Sequence, residues 1–455
     1  MAINNQKTLK DSIDFGNMHV PTLFRKLLIP TILGMVFSAI FIITDGIFVG
    51  KGIGSDALAA VNITAPLFLI NTGVALMFGI GASVVASIHL SHDKPKVARI
   101  NVAQALIVSS LLLIVYAVVI LCNVEQVACL LGSSPRLLPL AVEYMHWFVP
   151  FLVFSALLSS GMFFVRLDGS PTYAMICNII PALINIFLDY LFINVFHWGM
   201  FGAALATSLG YIVGALMILF YLLQGRNIIH LERLKLSIRS LRLTVRNVGY
   251  MMRLGLSTFL CETAIAIMMF VGNYVFIRYL GEDGVAAFSI ACYFFPIIFM
   301  VYNAIAQSAQ PILSYNYGAS QPGRVQSAFR LALWTAIGCG VAVFLITEFF
   351  TEQIVGLFVE QGCATYNIAL HGLPLFAAGF VCFGINIVSI GYFQSVERDR
   401  PAMTVTLLRG FILVLLCFWL MPILFGVSGI WLAVPAAETV TLLFVLTIYC
   451  RGKKS

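Results

Sequence analysis

Charged residues are scarce in this chain of 455 residues. Lys, Arg, Asp and Glu together make up 10% of the sequence, whereas 61% of it is hydrophobic. A water-soluble globular protein carries roughly 25% charged residues, so the composition excludes a soluble fold. An intrinsically disordered chain needs low hydrophobicity and high charge, so disorder is excluded as well. The composition therefore predicts an integral membrane protein.

The sequence also lacks the short motifs of nucleotide-driven and hydrolytic proteins. The glycine-rich segment Gly46–Gly52 is one residue too short for a Walker A loop and has no Ser or Thr after Lys51. Neither HExxH nor GxSxG occurs, and the ten cysteines lack the spacing of metal ligands. We therefore predict that the protein is not an enzyme, has no cofactor and no nucleic-acid partner, and binds no metal except Na+ as a coupling ion.

Long apolar runs occupy most of the chain. A helix needs about 20 residues to cross the hydrocarbon core of a bilayer. Runs of this length must be helical, because open backbone polar groups are not tolerated there. Twelve runs meet these conditions, and they cover residues 24–48, 57–86, 101–122, 139–165, 171–195, 199–223, 255–278, 285–312, 327–348, 367–393, 402–421 and 427–450.

Basic residues fall on one side of this span map. If the N-terminus lies in the cytoplasm, all but three of the 26 Lys and Arg residues belong to inner segments. The exceptions are Lys51, Arg136 and Arg278. This distribution obeys the positive-inside rule and would collapse if one span were miscounted. We predict a multi-pass protein of the bacterial cell membrane with both termini in the cytoplasm.

The two halves of the chain repeat each other at an offset of 227 residues. The segment Gly54–Ala60 has its counterpart in Gly281–Ala287, and Pro95 corresponds to Pro322. A constant offset across a six-span unit indicates duplication. Because six is an even number, both halves have the same orientation in the membrane. Such parallel repeats are typical of transporters.

The repeat predicts an all-α membrane fold of twelve helices in two pseudo-symmetric six-helix lobes. We assign residues 1–223 to the N-lobe and residues 255–455 to the C-lobe. Residues 224–254 form a cytoplasmic connector, in which Arg242 and Arg246 alternate with an apolar stripe. This pattern favours an amphipathic helix on the membrane surface.

Ionisable residues are rare inside the predicted spans. Only Asp45, Asp189, Glu262 and Glu438 are acids well inside them, and Arg409 is the one clearly intramembrane base. An acid at the centre of a bilayer costs about 2.5–3.5 kcal/mol on insertion scales, so each needs a role or a partner. Glu438 and Arg409, on the last two helices, are expected to neutralise each other.

Four polar side chains of the first half predict a cation site. Asp189 follows Asn185 by four residues, so both side chains project from one helix face. Thr207 on helix six and Asp45 on helix one can complete a cluster of oxygens, which suits a hard cation such as Na+. Two neighbouring carboxylates can also share a proton. The alternative interpretation is that each acid bonds to a neighbouring donor and only stabilises packing.

A proline in the first span predicts a hinge. Pro30 lies fifteen residues before Asp45, removes one backbone hydrogen bond and allows a kink. A bend at this point would respond to the charge at Asp45.

Several short segments carry a family resemblance. They are Thr44–Gly50 with Ala57–Ala60, Asn185 with Asp189, Ala204–Thr207, and Pro30. Together they resemble the multidrug and toxic compound extrusion (MATE) family over nearly the whole chain. The resemblance implies an N-lobe cation site at Asp45, Asn185, Asp189 and Thr207, a hinge at Pro30, and an acid of the C-lobe at Glu262. Some members carry an Asp on helix ten beside that acid. This span offers only Asn386, so Glu262 and Asn386 form a second candidate site.

The resemblance implies a secondary antiporter that exports hydrophobic or cationic drugs in exchange for H+ or Na+, working as a monomer. One alternative is a lipid-linked oligosaccharide flippase of the same superfamily, which would need a basic cavity for a pyrophosphate. A second alternative is an intramembrane transferase, which would need a nucleophile or a metal-binding acid cluster. Arg and Lys are nearly absent from the predicted spans, which argues against the flippase. No spacing typical of a nucleophile or a metal-binding acid cluster occurs, which argues against the transferase.

Overall fold

The computed structural model describes residues 13–234 and 237–452, and the regular secondary structure of this part of the chain is entirely helical, with no β-strand. The helices are α1 (Val20–Gly52), α2 (Ser55–Ser91), α3 (Pro95–Cys122), α4 (Val124–Leu130), α5 (Leu138–Phe148), α6 (Leu152–Leu167), α7 (Pro171–Asp189), α8 (Gly199–Leu223), α9 (Ile238–Gly318), α10 (Pro322–Gly356), α11 (Ala364–Ala377), α12 (Phe380–Ser395), α13 (Asp399–Leu407) and α14 (Leu413–Gly452). Two widened π-helical turns follow α7 and α13, at Tyr190–Val195 and Leu408–Ile412.

Twelve membrane spans emerge from these helices. In the described part of the chain, nine helical stretches are long and apolar enough to cross a bilayer, and the bent pair α11 and α12 makes a tenth. The backbone leaves the helical conformation at Gly281 in α9, at Phe350 in α10 and at Gly426 in α14. The breaks at Gly281 and Gly426 each separate two segments of membrane length, so the predicted twelve-helix fold is confirmed.

The internal repeat is visible in the backbone itself. Gly199 and Gly426, which are 227 residues apart, have φ angles of 58° and 57°. Asp93 and Ser320, at the same offset, have φ angles of 54° and 55°. Positive φ is uncommon for residues other than glycine, so a shared value at Asp93 and Ser320 indicates the same turn in both halves.

The chain forms two compact units. One contains the residues up to Gly255 together with Ser314–Ser320. The other contains Leu256–Leu313 and the residues from Gln321 onward. The N-lobe, connector and C-lobe boundaries deduced from the sequence remain predictions.

The connector between the halves is only partly helical. Within 224–254, the residues up to 234 form turns and extended backbone, and α9 begins at Ile238. The hydroxyl of Ser237 caps this helix by accepting the backbone N–H of Ser240 at 3.2 Å. Leu241, near the start of α9, is 66% exposed. An exposed apolar residue among basic ones fits a helix start that lies on a membrane surface.

Candidate cation-binding site

Three helices of the first unit bring the predicted polar residues together. Asp45 lies on α1, Asn185 and Asp189 on α7, and Thr207 on α8. The hydroxyl of Thr207 contacts the Asp45 carboxylate at 3.2 Å, although the two residues are 162 positions apart. The side-chain amide of Asn185 donates to the same hydroxyl at 3.4 Å. Thr207 therefore links α1 to α7.

Asp189 is the least satisfied member of this group, which we call the N-unit cluster (Asp45, Asn185, Asp189 and Thr207). Its side chain is fully buried, and neither carboxylate oxygen has a hydrogen-bond partner. The carboxyl groups of Asp189 and Asp45 lie close enough to interact directly. A proton on either group would let it donate to the other. The amide oxygen of Asn185 is also buried without a partner.

Asp168, another buried acid of the same unit, has hydrogen-bond donors for its carboxylate. Asp168, just after α6, accepts the hydroxyl of Tyr221 at 2.6 Å and the backbone N–H of Ile229 at 2.6 Å. Sequence reasoning did not single out Asp168, since it lies at a span end. Its bonds identify it as a packing residue, whereas Asp189 lacks any such donor. This contrast favours the cation-site interpretation for Asp189 and the packing interpretation for Asp168, and the role of Asp189 remains a prediction.

Two tyrosines that sequence reasoning missed also border the N-unit cluster. Tyr144 on α5 is buried and lies next to Thr207 and both carboxylates. Tyr211 on α8 lies near Asp45, one turn after Thr207. The aromatic ring of Tyr211 stacks on Phe68 with a centroid distance of 6.0 Å. The signal for Tyr211 was its four-residue spacing from Thr207, but nothing in the sequence connects Tyr144 to this site.

Glycine allows α7 and α8 to approach closely at the cluster. A methyl group on Gly210 would lie 3.2 Å from the carbonyl oxygen of Pro181 and 3.4 Å from Cβ of Asn185. Immediately after Asp189, the helix widens into the π-helical turn Tyr190–Val195. Such turns are frequent at functional sites, because they reposition side chains within a helix.

A cavity of about 50 Å³ lies beside the cluster. It is lined by the polar side chains Ser38, Asn178 and Thr207 and by the rings of Phe41 and Tyr211, among others. This volume suits about three water molecules, because one water needs roughly 10–15 Å³ of such space and a few polar partners. Thr207 belongs both to the cavity and to the cluster. The cavity therefore meets the cluster at Thr207.

In the second candidate site, Asn386 lies beside the pair of Glu438 and Arg409. Glu438 accepts a two-pronged interaction from Arg409, with Nη2 at 2.8 Å and Nε at 3.0 Å from Oε1. Asn386 donates to the other carboxylate oxygen of Glu438 at 2.7 Å and to its backbone carbonyl at 2.9 Å. Asn386 thus bonds to Glu438, and in the described residues it has no hydrogen bond with Glu262. A site shared by Glu262 and Asn386 remains a prediction, and no hydrogen bond between these two side chains supports it.

The neutralising pair of Glu438 and Arg409 that the sequence suggested is present. Both side chains are almost fully buried, at 3% and 5% exposure. The guanidinium of Arg409 lies 4.7 Å from the ring centre of Phe383, a cation–π arrangement. Arg409 lies in the π-helical turn Leu408–Ile412. Both buried charge clusters therefore lie at or next to a widened turn.

The two charge clusters border equivalent cavities. A cavity of about 20 Å³ in the second unit contains Arg409 and Glu438. Five of its lining positions match those of the first cavity at the repeat offset of 227: Ser38 and Ile265, Phe41 and Met268, Ala182 and Arg409, Thr207 and Val434, Tyr211 and Glu438. In the second cavity, Val434 stands at the position of Thr207, so the hydroxyl is missing there. The guanidinium of Arg409, which is bonded to the carboxylate of Glu438, lines this cavity instead.

The predicted hinge lies in an unbroken helix. Helix α1 continues from Val20 to Gly52 through Pro30 with helical backbone conformation. Gly34, one turn later, lies against α7, because a methyl group there would be 3.0 Å from the amide nitrogen of Asn178. A bend at Pro30 stays a prediction.

Twelve helices, an internal repeat and acids buried within the membrane-spanning helices are features of a membrane transporter. The MatE family model matches residues 30–191 and again residues 256–419, once in each half. The chain therefore belongs to the MatE family, the multidrug and toxic compound extrusion transporters. The double match agrees with the duplication deduced from the sequence.

Individual relatives cover nearly the whole chain. The multidrug export protein MepA of Staphylococcus saprophyticus is 26% identical over 444 residues, which is 96% of this chain and 94% of the relative. MepA of Staphylococcus aureus N315 is 24% identical over 333 residues, or 71% and 70% of the two chains. An outward-facing multidrug resistance MATE family transporter of the MOP superfamily superposes with a TM-score of 0.88 at 22% identity, covering 98% of this chain and 99% of that one. The MATE transporter VcmN of Vibrio cholerae superposes with a TM-score of 0.87 at 19% identity, covering 96% and 98%.

Proposed function

We propose that this protein is a secondary antiporter that exports hydrophobic cationic compounds in exchange for H+ or Na+. Membership of the MatE family and likeness to multidrug export proteins support the export of such compounds. The observation that carries the cation coupling is Asp189, a buried carboxylate beside a second carboxylate with no donor on either oxygen. An acid in this position is costly unless a cation visits it during the cycle.

The N-unit cluster can accept either proposed ion. It offers two carboxylates, the amide oxygen of Asn185 and the hydroxyl of Thr207, and hard cations take such oxygen ligands. No Lys or Arg of the described residues bonds to Asp45 or Asp189, so a negative charge on the pair has no permanent counter-charge among those residues. A proton can serve equally, since two adjacent carboxyl groups hold one proton between them.

Coupling requires that the cation and the drug favour different states of the protein. Binding of H+ or Na+ removes the repulsion between Asp45 and Asp189. We propose that α1 then repacks about Pro30 and that drug affinity falls. The drug leaves outward because the two ligands bind the two states with different affinities. One cluster per chain suffices, so a monomer can work.

The flippase alternative receives no support from the buried base. A lipid-linked pyrophosphate needs free positive charge in the translocation cavity. Arg409, the intramembrane arginine, is already bonded to Glu438. We therefore retain the exporter as the proposed function.

Reconstituted transport tests class and coupling together. Purified protein in liposomes should move ethidium when a proton gradient or a sodium gradient is imposed, and the effective gradient identifies the ion. Asp45→Asn and Asp189→Asn should reduce gradient-driven movement to background. Asp56→Asn, the same chemical change at an exposed ion pair with Arg136, should keep wild-type transport. Wild-type transport in either of the first two variants would refute the role of the N-unit cluster.

Thr207 provides a finer measurement at the same site. Thr207→Val keeps the shape but removes the hydroxyl that bonds Asp45, so the cation concentration for half-maximal transport should rise about tenfold. Thr207→Ser should restore the wild-type value. An unchanged concentration dependence in Thr207→Val would mean that this hydroxyl is not a ligand.

A further inference from the structure

Another cavity of the second unit contains no residue of either charge cluster. It has a volume of about 480 Å³ and lies among α10, α12 and α14, with Arg398 at its edge just before α13. Ligand sites for small molecules usually have volumes of about 300–1,000 Å³, so the cavity is large enough for a sizeable ligand. Its position differs from that of the N-unit cluster, which belongs to the other unit.

Two arginines give this cavity a positive rim. Arg330 on α10 and Arg398 both line it, and both are exposed. Neither forms an ion pair or a side-chain hydrogen bond with a described residue. Two unpaired guanidinium groups repel a cationic drug and attract an anionic group, above all a phosphate, which arginine can bind in a two-pronged manner.

Two hydroxyl groups inside the cavity also lack partners. The hydroxyls of Ser389 and Tyr449 are buried and near each other, but neither has a partner with hydrogen-bond geometry. Tyr449 is held in place by aromatic neighbours, with ring centres 5.4 Å from Phe329 and 5.8 Å from Tyr392. Buried polar groups are normally satisfied, so these two hydroxyls point to a ligand with acceptor oxygens.

The rest of the wall is mostly apolar, with Gln326 as its further polar residue. Leu333, Ile385, Leu442, Val445 and Leu446 line it. A free inorganic anion makes no use of such a wall, whereas an acyl chain can pack against it by van der Waals contact. Charge at the rim, hydroxyls within and aliphatic side chains along the wall match an amphiphile with an anionic head group and a hydrocarbon tail.

The polar elements share one end of the helices. Arg330 lies in the first third of α10, Tyr392 at the end of α12, and Tyr449 at the end of α14. The alternating direction of the spans places these points on the same membrane surface. That surface is the cytoplasmic one if the N-terminus is inside, as the positive-inside rule predicts. Basic pockets between helices on this side of a membrane bind anionic lipid head groups.

We propose that this cavity binds an anionic phospholipid of the cytoplasmic leaflet, with its phosphate between Arg330 and Arg398 and an acyl chain along Leu333, Leu442 and Leu446. The lipid would act as a fixed structural ligand of the second unit. The placement in the inner leaflet rests on the predicted orientation, but the binding chemistry does not rest on the proposed antiport.

Native mass spectrometry of the full chain, purified in a neutral detergent, tests this proposal without any transport. Phosphatidylglycerol should remain bound to the wild-type protein, and phosphatidylcholine should not. The double variant Arg330→Gln and Arg398→Gln should retain phosphatidylglycerol about thirtyfold more weakly, because each arginine near an anionic lipid contributes roughly a factor of five. Arg400→Gln, an exposed arginine of the same region outside the cavity, is the matched control and should bind like wild type.

Two further measurements separate the lipid from other ligands. Leu446→Trp keeps both arginines and fills the apolar part of the cavity from an exposed position, so it should also weaken lipid retention. Inorganic phosphate at millimolar concentration should not displace the lipid. Equal retention of the two lipids, unchanged retention in the double arginine variant, or displacement by phosphate alone would each overturn the proposal.

Discussion

The ion pair of Glu438 and Arg409 should be essential for the stability of the second unit. The Glu438 carboxylate accepts from Arg409 Nε and Nη2 and from the amide of Asn386, at 2.7–3.0 Å. Glu438→Gln keeps the shape but removes the negative charge, leaving the guanidinium buried without a counter-charge. Removing one partner of a buried pair costs about 3–5 kcal/mol, which corresponds to roughly two to four powers of ten in the folding equilibrium.

Thermal unfolding of the purified protein in detergent, followed by size-exclusion chromatography, measures this effect. Glu438→Gln should lower the temperature of half-unfolding clearly, and so should Arg409→Met. The double variant should recover most of the loss, because replacing both charges by uncharged side chains of similar size is often neutral. Glu262→Gln is the matched control, since Glu262 is half-buried and forms no ion pair with a described residue. Wild-type stability in Glu438→Gln, or a double variant as unstable as the sum of the two single ones, would refute the reasoning.

Two other expectations concern packing and orientation. Gly255→Ala should sharply reduce the yield of folded protein in the same chromatographic assay, because the added methyl group would collide with the backbone of Met77. Gly249→Ala is the control: no atom lies within 4 Å of its added methyl group, so this variant should be neutral or slightly stabilising. Equal yields of the two variants would contradict this packing. A fluorescent protein fused after Ser455 should fluoresce and an alkaline phosphatase fused there should be inactive, since we propose that the C-terminus is cytoplasmic; the opposite pattern would reverse the orientation.

The number of spans could be predicted from the sequence, although the helices themselves continue further than expected. The runs 255–278 and 285–312 lie in one described helix, α9, that breaks at Gly281, and the last two runs meet at Gly426. Apolar length sets where the chain must cross the bilayer. Whether a turn interrupts the helix depends on the backbone dihedral angles of single residues, and composition does not predict those angles.

The partners of the buried acids were only partly predictable. The four-residue spacing of Asn185 and Asp189 placed them on one helix face, and Thr207, which the sequence also assigned to this cluster together with Asp45, contacts both Asn185 and Asp45. Spacing along one helix is a local property, so this part of the site was accessible. The participation of Tyr144 was not, because it comes from another helix whose rotation the sequence does not specify.

Asn386 shows most clearly where sequence reasoning ends. It was assigned to Glu262 by resemblance, yet it donates to Glu438, whose carboxylate also holds Arg409. All four residues are plainly visible as rare polar groups in apolar runs. Which of them meet depends on how far each helix is rotated about its own axis, and that rotation is set by packing against its neighbours.

The sequence by itself determined that the chain is a duplicated bundle of twelve membrane helices and that a few ionisable groups lie within it. These properties follow from the length of the apolar runs, the positions of the charged residues and the constant repeat offset. Each of them is visible in the linear sequence. Only the tertiary structure decided that Asp189 is left without a donor while Glu438 is fully paired. That difference arises from distances between helices far apart in sequence, such as the 162 residues that separate Asp45 from Thr207.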